Sequence, residues 1–126
     1  MVAVTRINVS LASPAGESQI RRGMATVAIA AGQVVCLAQA TAIPAQQETV
    51  YRLAANAQEV GAGIALSSAA ANATVEVLVS GYAGGFSGLT HGTPYTVVAG
   101  ELDTTAPAVG VVTRFHAHNA TVVAVQ

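Results

Sequence analysis

The sequence predicts an all-β fold: a small antiparallel β-barrel or sandwich, preceded by an extended N-terminal arm. Three observations lead there. Apolar residues alternate with small or polar ones at period two in several short runs, which puts every second side chain on one sheet face. Turn-forming residues interrupt these runs about every 8–12 positions, the spacing of sandwiches and small barrels. Glycines at 81, 84, 85 and 88 exclude a helix over that stretch. With 126 residues the chain makes one domain, read here as 23–126, plus an arm, 1–22.

In the arm, Val2, Val4 and Ile7 alternate with smaller or polar groups until Ser13-Pro14-Ala15-Gly16 breaks the pattern. Three of the five arginines, Arg6, Arg21 and Arg22, lie here. No partner strand is near in sequence. The arm is therefore either an unordered tail or a segment that orders by adding a strand to a neighbouring sheet edge. From residue 23 onward, Ala25, Val27 and Ile29 alternate with Met24, Thr26 and Ala28, and Ala31-Gly32-Gln33 turns into a strand over 34–38. Short strands are expected over 50–53 and 61–66. The clearest is 74–79, with Val75, Val77 and Val79 on one face and Thr74, Glu76 and Leu78 on the other. The glycines that follow predict a long loop. Pro94 places 93–98 at a strand start or sheet edge, and Ala99-Gly100-Glu101 reads as a tight turn. Strands over 109–115 and 121–125, joined around Asn119, close the chain. The three consecutive alanines within 67–72 favour helix, but six residues cannot sustain one, so this is a loop with at most one turn.

Composition bounds the function. A folded monomer of this mass exposes roughly 6,200 Å². Five arginines, six acids and no lysine supply about one charge per 560 Å² of it, well below ordinary soluble surfaces. Either neutral polar residues cover the molecule, or part of its surface is hidden against partners; assembly is the favoured reading. A core of mostly Ala and Val points the same way, because large side chains carry most burial energy. A net charge of −1 with scattered arginines, two Phe and no Trp argues against nucleic acid. Cys36, the single cysteine, sits in an apolar run and reads as core filler. Residues 23–45 are uncharged, but Gly32-Gln33, Gln39 and Pro44 interrupt them, so no membrane span is expected. Arg21-Arg22 ahead of Ala38-Gln39-Ala40 resembles a twin-arginine signal only superficially, since the apolar part is too weak. The three Asn-x-Ser/Thr sites, at Asn8, Asn72 and Asn119, carry no weight without secretion. Synthesis in the cytoplasm is expected.

No catalytic constellation emerges. Gly84-Gly85-Phe86-Ser87-Gly88 comes nearest to a nucleophile elbow, but no helix follows it. Glu101 and Asp103 share a turn and look solvated, and Gly61-Ala-Gly63 lacks the third glycine of a dinucleotide fingerprint. His116-Ala117-His118 puts two imidazoles on one strand face. Three chains on a threefold axis would bring six nitrogens, suited to an octahedral ion, as in phage fibres. The plainer reading makes them polar residues on a strand whose outward face also carries Arg114. No cofactor, metal or catalytic residue is expected.

One resemblance adds to this. Val60-Gly-Ala-Gly-Ile-Ala-Leu66, then Val75-Glu-Val-Leu-Val-Ser-Gly81, Gly88-Leu-Thr-His-Gly-Thr-Pro-Tyr95, Asp103-Thr-Thr-Ala-Pro107 and Val109-Gly-Val-Val112 resemble the capsid-cement, or head-decoration, proteins of tailed phages. The pattern covers roughly 50–126 and consists of turns and strand ends, and Arg114 to His118 depart from the plainer ending of that family. It implies a compact barrel-like, β-tulip-like domain, a homotrimer, and a non-enzymatic role on the outer surface of a virion. There it would stabilise joints between major capsid proteins of HK97-like fold. Val2, Val4, Arg6, Ile7, Arg21 and Arg22 are the expected capsid contacts. The alternative is a phage head-fibre or receptor-binding module whose 81–92 loop touches a host glycan. A small enzyme or carrier domain would need a lysine or catalytic cluster that the sequence lacks.

Overall fold

The computed structural model describes residues 3–12, 18–38 and 49–126. Among them lie ten strands and no helix: β1 (Thr5–Leu11), β2 (Gln19–Ala25), β3 (Val34–Leu37), β4 (Val50–Leu53), β5 (Gly63–Ala65), β6 (Thr74–Ser87), β7 (Thr96–Val98), β8 (Glu101–Asp103), β9 (Phe115–Ala117) and β10 (Val122–Val125). Eight form one sheet in the order β2-β4-β3-β5-β6-β10-β9, with β1 added on β6 and a further pairing of β2 with β6. β7 and β8 form a separate hairpin. The sheet is mixed rather than wholly antiparallel, because β2 runs parallel to β4.

β6 is the spine. Its first half pairs with β2 and β5, and its second half with β10 and β1. Period two then sorts its side chains as the sequence predicts: Val75, Val77 and Val79 join one apolar cluster and Leu78 the other. β3 behaves likewise, with Val34 and Cys36 facing one cluster and Val35 facing the opposite one. A strand buried on both faces reads as an unbroken apolar run, which is what Val34-Val35-Cys36 is. The first cluster holds Phe86, Phe115, Tyr95 and Leu102; the second is thinner, built around Tyr51 with Ala, Val and Ile.

Several expectations need correction. Residues 3–12 and 18–22 are not an arm set apart from the domain. β1 and β2 are both antiparallel partners of β6, and the boundary at residue 22 falls inside β2. Their partner lies more than fifty positions away, so nothing local signals the pairing. The glycine stretch is not a loop, because β6 continues through it to Ser87. Gly85 sits at φ +97°, and a Cβ there would lie 2.6–2.7 Å from the backbone of Ile7, Asn8 and Val9. The glycine lets β1 cross close over β6, where Asn8 (φ +51°) marks an irregularity in the pairing. The alternating run after Ala25 leaves the strand, with Ile29 held by a single bridge to Ala69. The strand expected over 109–115 reduces to β9, and residues 104–112 form a surface loop.

The remaining turns agree with the sequence. Ala99 and Gly100 both have positive φ, as a two-residue hairpin requires. Asn119 Oδ1 accepts from the backbone N–H groups of Thr121 and Val122 and fixes the turn into β10. Residues 67–72 are a loop. Val2, Ser13 to Gly16, Gln39, Ala40 and Pro44 lie outside the described residues. No helix among the described residues is long and apolar enough to cross a membrane.

Candidate functional site

The expected contact residues part company in the structure. Val4 is buried in the first core cluster, and its N–H donates to the Leu102 carbonyl. Arg6 is turned inward: Nε and Nη2 donate to the two carboxylate oxygens of Glu101 at 2.9 and 3.1 Å, and Nη1 donates to the Ala31 carbonyl at 2.9 Å. Val4 and Arg6 are therefore committed inside the chain, because β1 is a sheet strand whose flanking residues must pack. Ile7 (56% exposed), Arg21 and Arg22 stay on the surface. Arg22 faces Glu76 across the β2–β6 register and pairs with it at 3.0 Å.

Among the described residues, three of the five arginines pair with glutamates. Besides these two pairs, Arg52 pairs with Glu59, and the Cys36 thiol donates to the same carboxylate at 3.5 Å. The Arg52 hydrogen bond, with help from that thiol, holds the Glu59 carboxyl below its usual range. Burial, then the bond to Glu59, pushes the Cys36 thiol up to about 11. Cys36 is thus a protonated core side chain at neutral pH. Among the described residues, Arg21 and Arg114 meet no carboxylate.

Among the described residues, the loop 104–112 is uncharged and exposes several valines, a feature that the sequence did not announce. No charge lies between Asp103 and Arg114. Val109 and Val112 are 103% and 81% exposed, and Val111 is exposed too. This loop is anchored. Asp103 accepts from the Thr105 N–H at 2.9 Å and hydroxyl at 2.6 Å, and these bonds hold its carboxyl below the usual range. Thr96 Oγ1 donates to the Thr105 carbonyl at 3.0 Å, and Gln58 Nε2 to the Val112 carbonyl at 3.1 Å. Thr113 Oγ1 donates to the Tyr95 carbonyl at 2.7 Å and accepts from the Phe115 N–H. Gly110, at φ +83°, shapes the turn between the valines. Val60, 76% exposed, lies two residues beyond Gln58. The signal in the sequence was Gly110 interrupting a valine run that has no complementary strand.

The histidines do not converge. His116 and His118 are two apart at β9, but the His118 ring packs on Tyr82 with centroids 4.7 Å apart. His91 Nδ1 lies 2.7 Å from the His118 carbonyl and donates to it. Among the described residues, His116 Nδ1 is buried and finds no hydrogen-bond partner. Among the described residues, no group of three or more His, Cys, Asp or Glu side chains is placed to hold a metal ion.

Comparison with protein-family models, curated proteins and solved structures finds no match for this chain. The surface chemistry therefore stands on its own. Among the described residues, the most distinctive element is an uncharged, exposed loop pinned by hydrogen bonds at both ends.

Proposed function

We propose that this chain is a structural virion protein that binds the outside of an icosahedral phage capsid, as a homotrimer, and stabilises joints between major capsid proteins. The loop 104–112 carries the reading. Covering exposed valines removes apolar area from water at about 25 cal/mol per Å², and a loop without charges avoids the desolvation penalty of an ion-bearing interface. Because the loop is pinned beforehand, binding costs little ordering entropy. Spanning a capsid joint on this basis adds buried area to both sides; stable assemblies of the kind bury about 2,000 Å² or more.

The pairings β2–β4–β3–β5–β6 and back to β2 support a small barrel as the domain's architecture. Val2, Ile7, Arg21 and Arg22 remain in the proposed contact set, and Val4 and Arg6, turned inward, leave it. The glycan-binding alternative drew on a loop over 81–92. With β6 running to Ser87, that alternative keeps only the turn after it.

The test pairs sedimentation of the purified protein with its binding to expanded, undecorated heads of tailed phages. The expected result is a self-associated species that saturates the shell in hundreds of copies. The double variant Val109→Asp, Val112→Asp, altered at fully solvated positions, should keep its fold and bind at least tenfold more weakly. A monomer at high concentration with no affinity for any head rejects the proposal.

A further inference from the structure

The two ends of loop 104–112 are held by different chemistry. At the far end the anchors are neutral. Buried Thr113 donates to the Tyr95 carbonyl and accepts from the Phe115 N–H, and Gln58 donates to the Val112 carbonyl. The turn between is neutral as well, closed by the Val111 N–H on the Ala108 carbonyl. Hydroxyl, amide and peptide groups do not titrate in the pH range of a folded protein. At the near end the anchor is a carboxylate. Asp103, the last residue of β8, is 5% exposed, and its Oδ1 accepts from both the N–H and the hydroxyl of Thr105, at 2.9 and 2.6 Å. The Thr105 carbonyl in turn accepts from Thr96 Oγ1 on β7.

Few other charges bear on that carboxylate. Across the hairpin it faces Thr96, and its isolated bridge is to Ala3. The loop it holds carries no charge. Glu101, two positions back on β8, is bonded by Arg6 and Gln33. Among the described residues no arginine or histidine pairs with Asp103. The Thr105 bonds favour the ionised form and outweigh its burial, and the amino-terminal charge adds the smallest share. Bonds to an ionised acceptor are about twice as strong as neutral ones. One proton on Asp103 therefore weakens both Thr105 bonds together.

We propose that Asp103 is a one-ended latch, whose carboxylate fixes the start of loop 104–112 and whose protonation frees residues 104–108 while Thr113 keeps the far end in place. The latch is closed above the ordinary carboxyl value, about pH 4, and opens as pH falls through the lower value of the folded chain. Such a local opening precedes global unfolding, because the freed residues carry little of the core. The latch also sets a regulatory step, acid release of a docked loop, which rests on the capsid reading above.

The test follows amide relaxation and side-chain carboxyl signals of the full chain by NMR as pH is lowered from neutral. Thr105, Ala106 and Ala108 should become mobile at the midpoint of the Asp103 titration, while Val75, Val77 and Thr113 stay rigid. Thr105→Val, which removes the hydroxyl donor, should move both midpoints up together. Asp103→Ala should show the freed loop at neutral pH. A loop still ordered after Asp103 has titrated, loop and strand signals lost in one transition, or midpoints unmoved in Thr105→Val overturns the latch. On expanded phage heads at neutral pH, Asp103→Ala should bind about threefold more weakly than the parent, or worse. Equal binding by the two overturns the regulatory step. A parent chain that binds no head rejects the capsid reading instead, and the NMR series still decides the latch.

Discussion

Gly85 shows how much one missing Cβ decides. Its φ of +97° disfavours any side chain, and its neighbours at 2.6–2.7 Å are backbone atoms of β1, which cannot step aside. Gly88, three residues on, has φ +75° but nothing within 4 Å. Replacing each by alanine separates the two effects. Gly88→Ala should cost about 1 kcal/mol, from backbone strain alone. Gly85→Ala should cost about 2–5 kcal/mol, from strain plus overpacking against β1. Urea unfolding midpoints measure both, and equal losses would mean that β1 does not cross where described. From sequence, the two glycines look alike. What distinguishes them is a strand some eighty residues away, which no local pattern encodes.

At the level of elements, the same physics decides which ion pairs matter. Arg6 ties β1 to β8: the Arg6 and Glu101 side chains are 27% and 25% exposed, the pair is bidentate, and Gln33 Nε2 donates to the same carboxylate at 2.9 Å. Arg22 and Glu76 are 74% and 41% exposed and span one ladder. Arg6→Ala should therefore lower stability by about 1–3 kcal/mol, because it strips hydrogen bonds from a part-buried carboxylate and a carbonyl. Arg22→Ala should change it by less than about 0.5 kcal/mol. Thermal or urea denaturation of the two variants checks the ordering. The strands legible in the sequence were those whose two faces differ, such as 74–79, or whose ends are marked by turns, such as 50–53 and 121–125. β1 and β2 were seen as extended but not placed, because register over long separations is set by packing. The meeting of Arg21 and Arg114 at one surface opening was illegible, because they are 93 positions apart in sequence.

For the whole molecule, the few acids have an outsized effect on pH response. Glu59 and Asp103 both titrate below their ordinary values in the folded chain, through Arg52 and Thr105 respectively. A lowered carboxyl favours the folded state fully above the unfolded value, about pH 4, and that contribution is lost as pH falls through the folded value. Stability should thus be flat from neutral pH down to about 5 and drop steeply below about 4. Urea midpoints at a series of pH values check this, and Asp103→Asn should flatten part of the slope. A midpoint that rises on acidification would contradict the assigned hydrogen bonds. With so few ionisable groups, each pair accounts for a large share of the total response.

The long strand β6 also sets an order of events during synthesis. β1 and β2 leave the ribosome ahead of β6, whose paired positions follow about 50–80 residues later, which at about 5–20 residues per second is a wait of some 3–16 s. Until Ser87 is free, β1 lacks its native ladder, and β2 has only its short parallel contact with β4. The nascent chain must stay open through that interval, and its folding is gated by translation of its own middle rather than by its beginning.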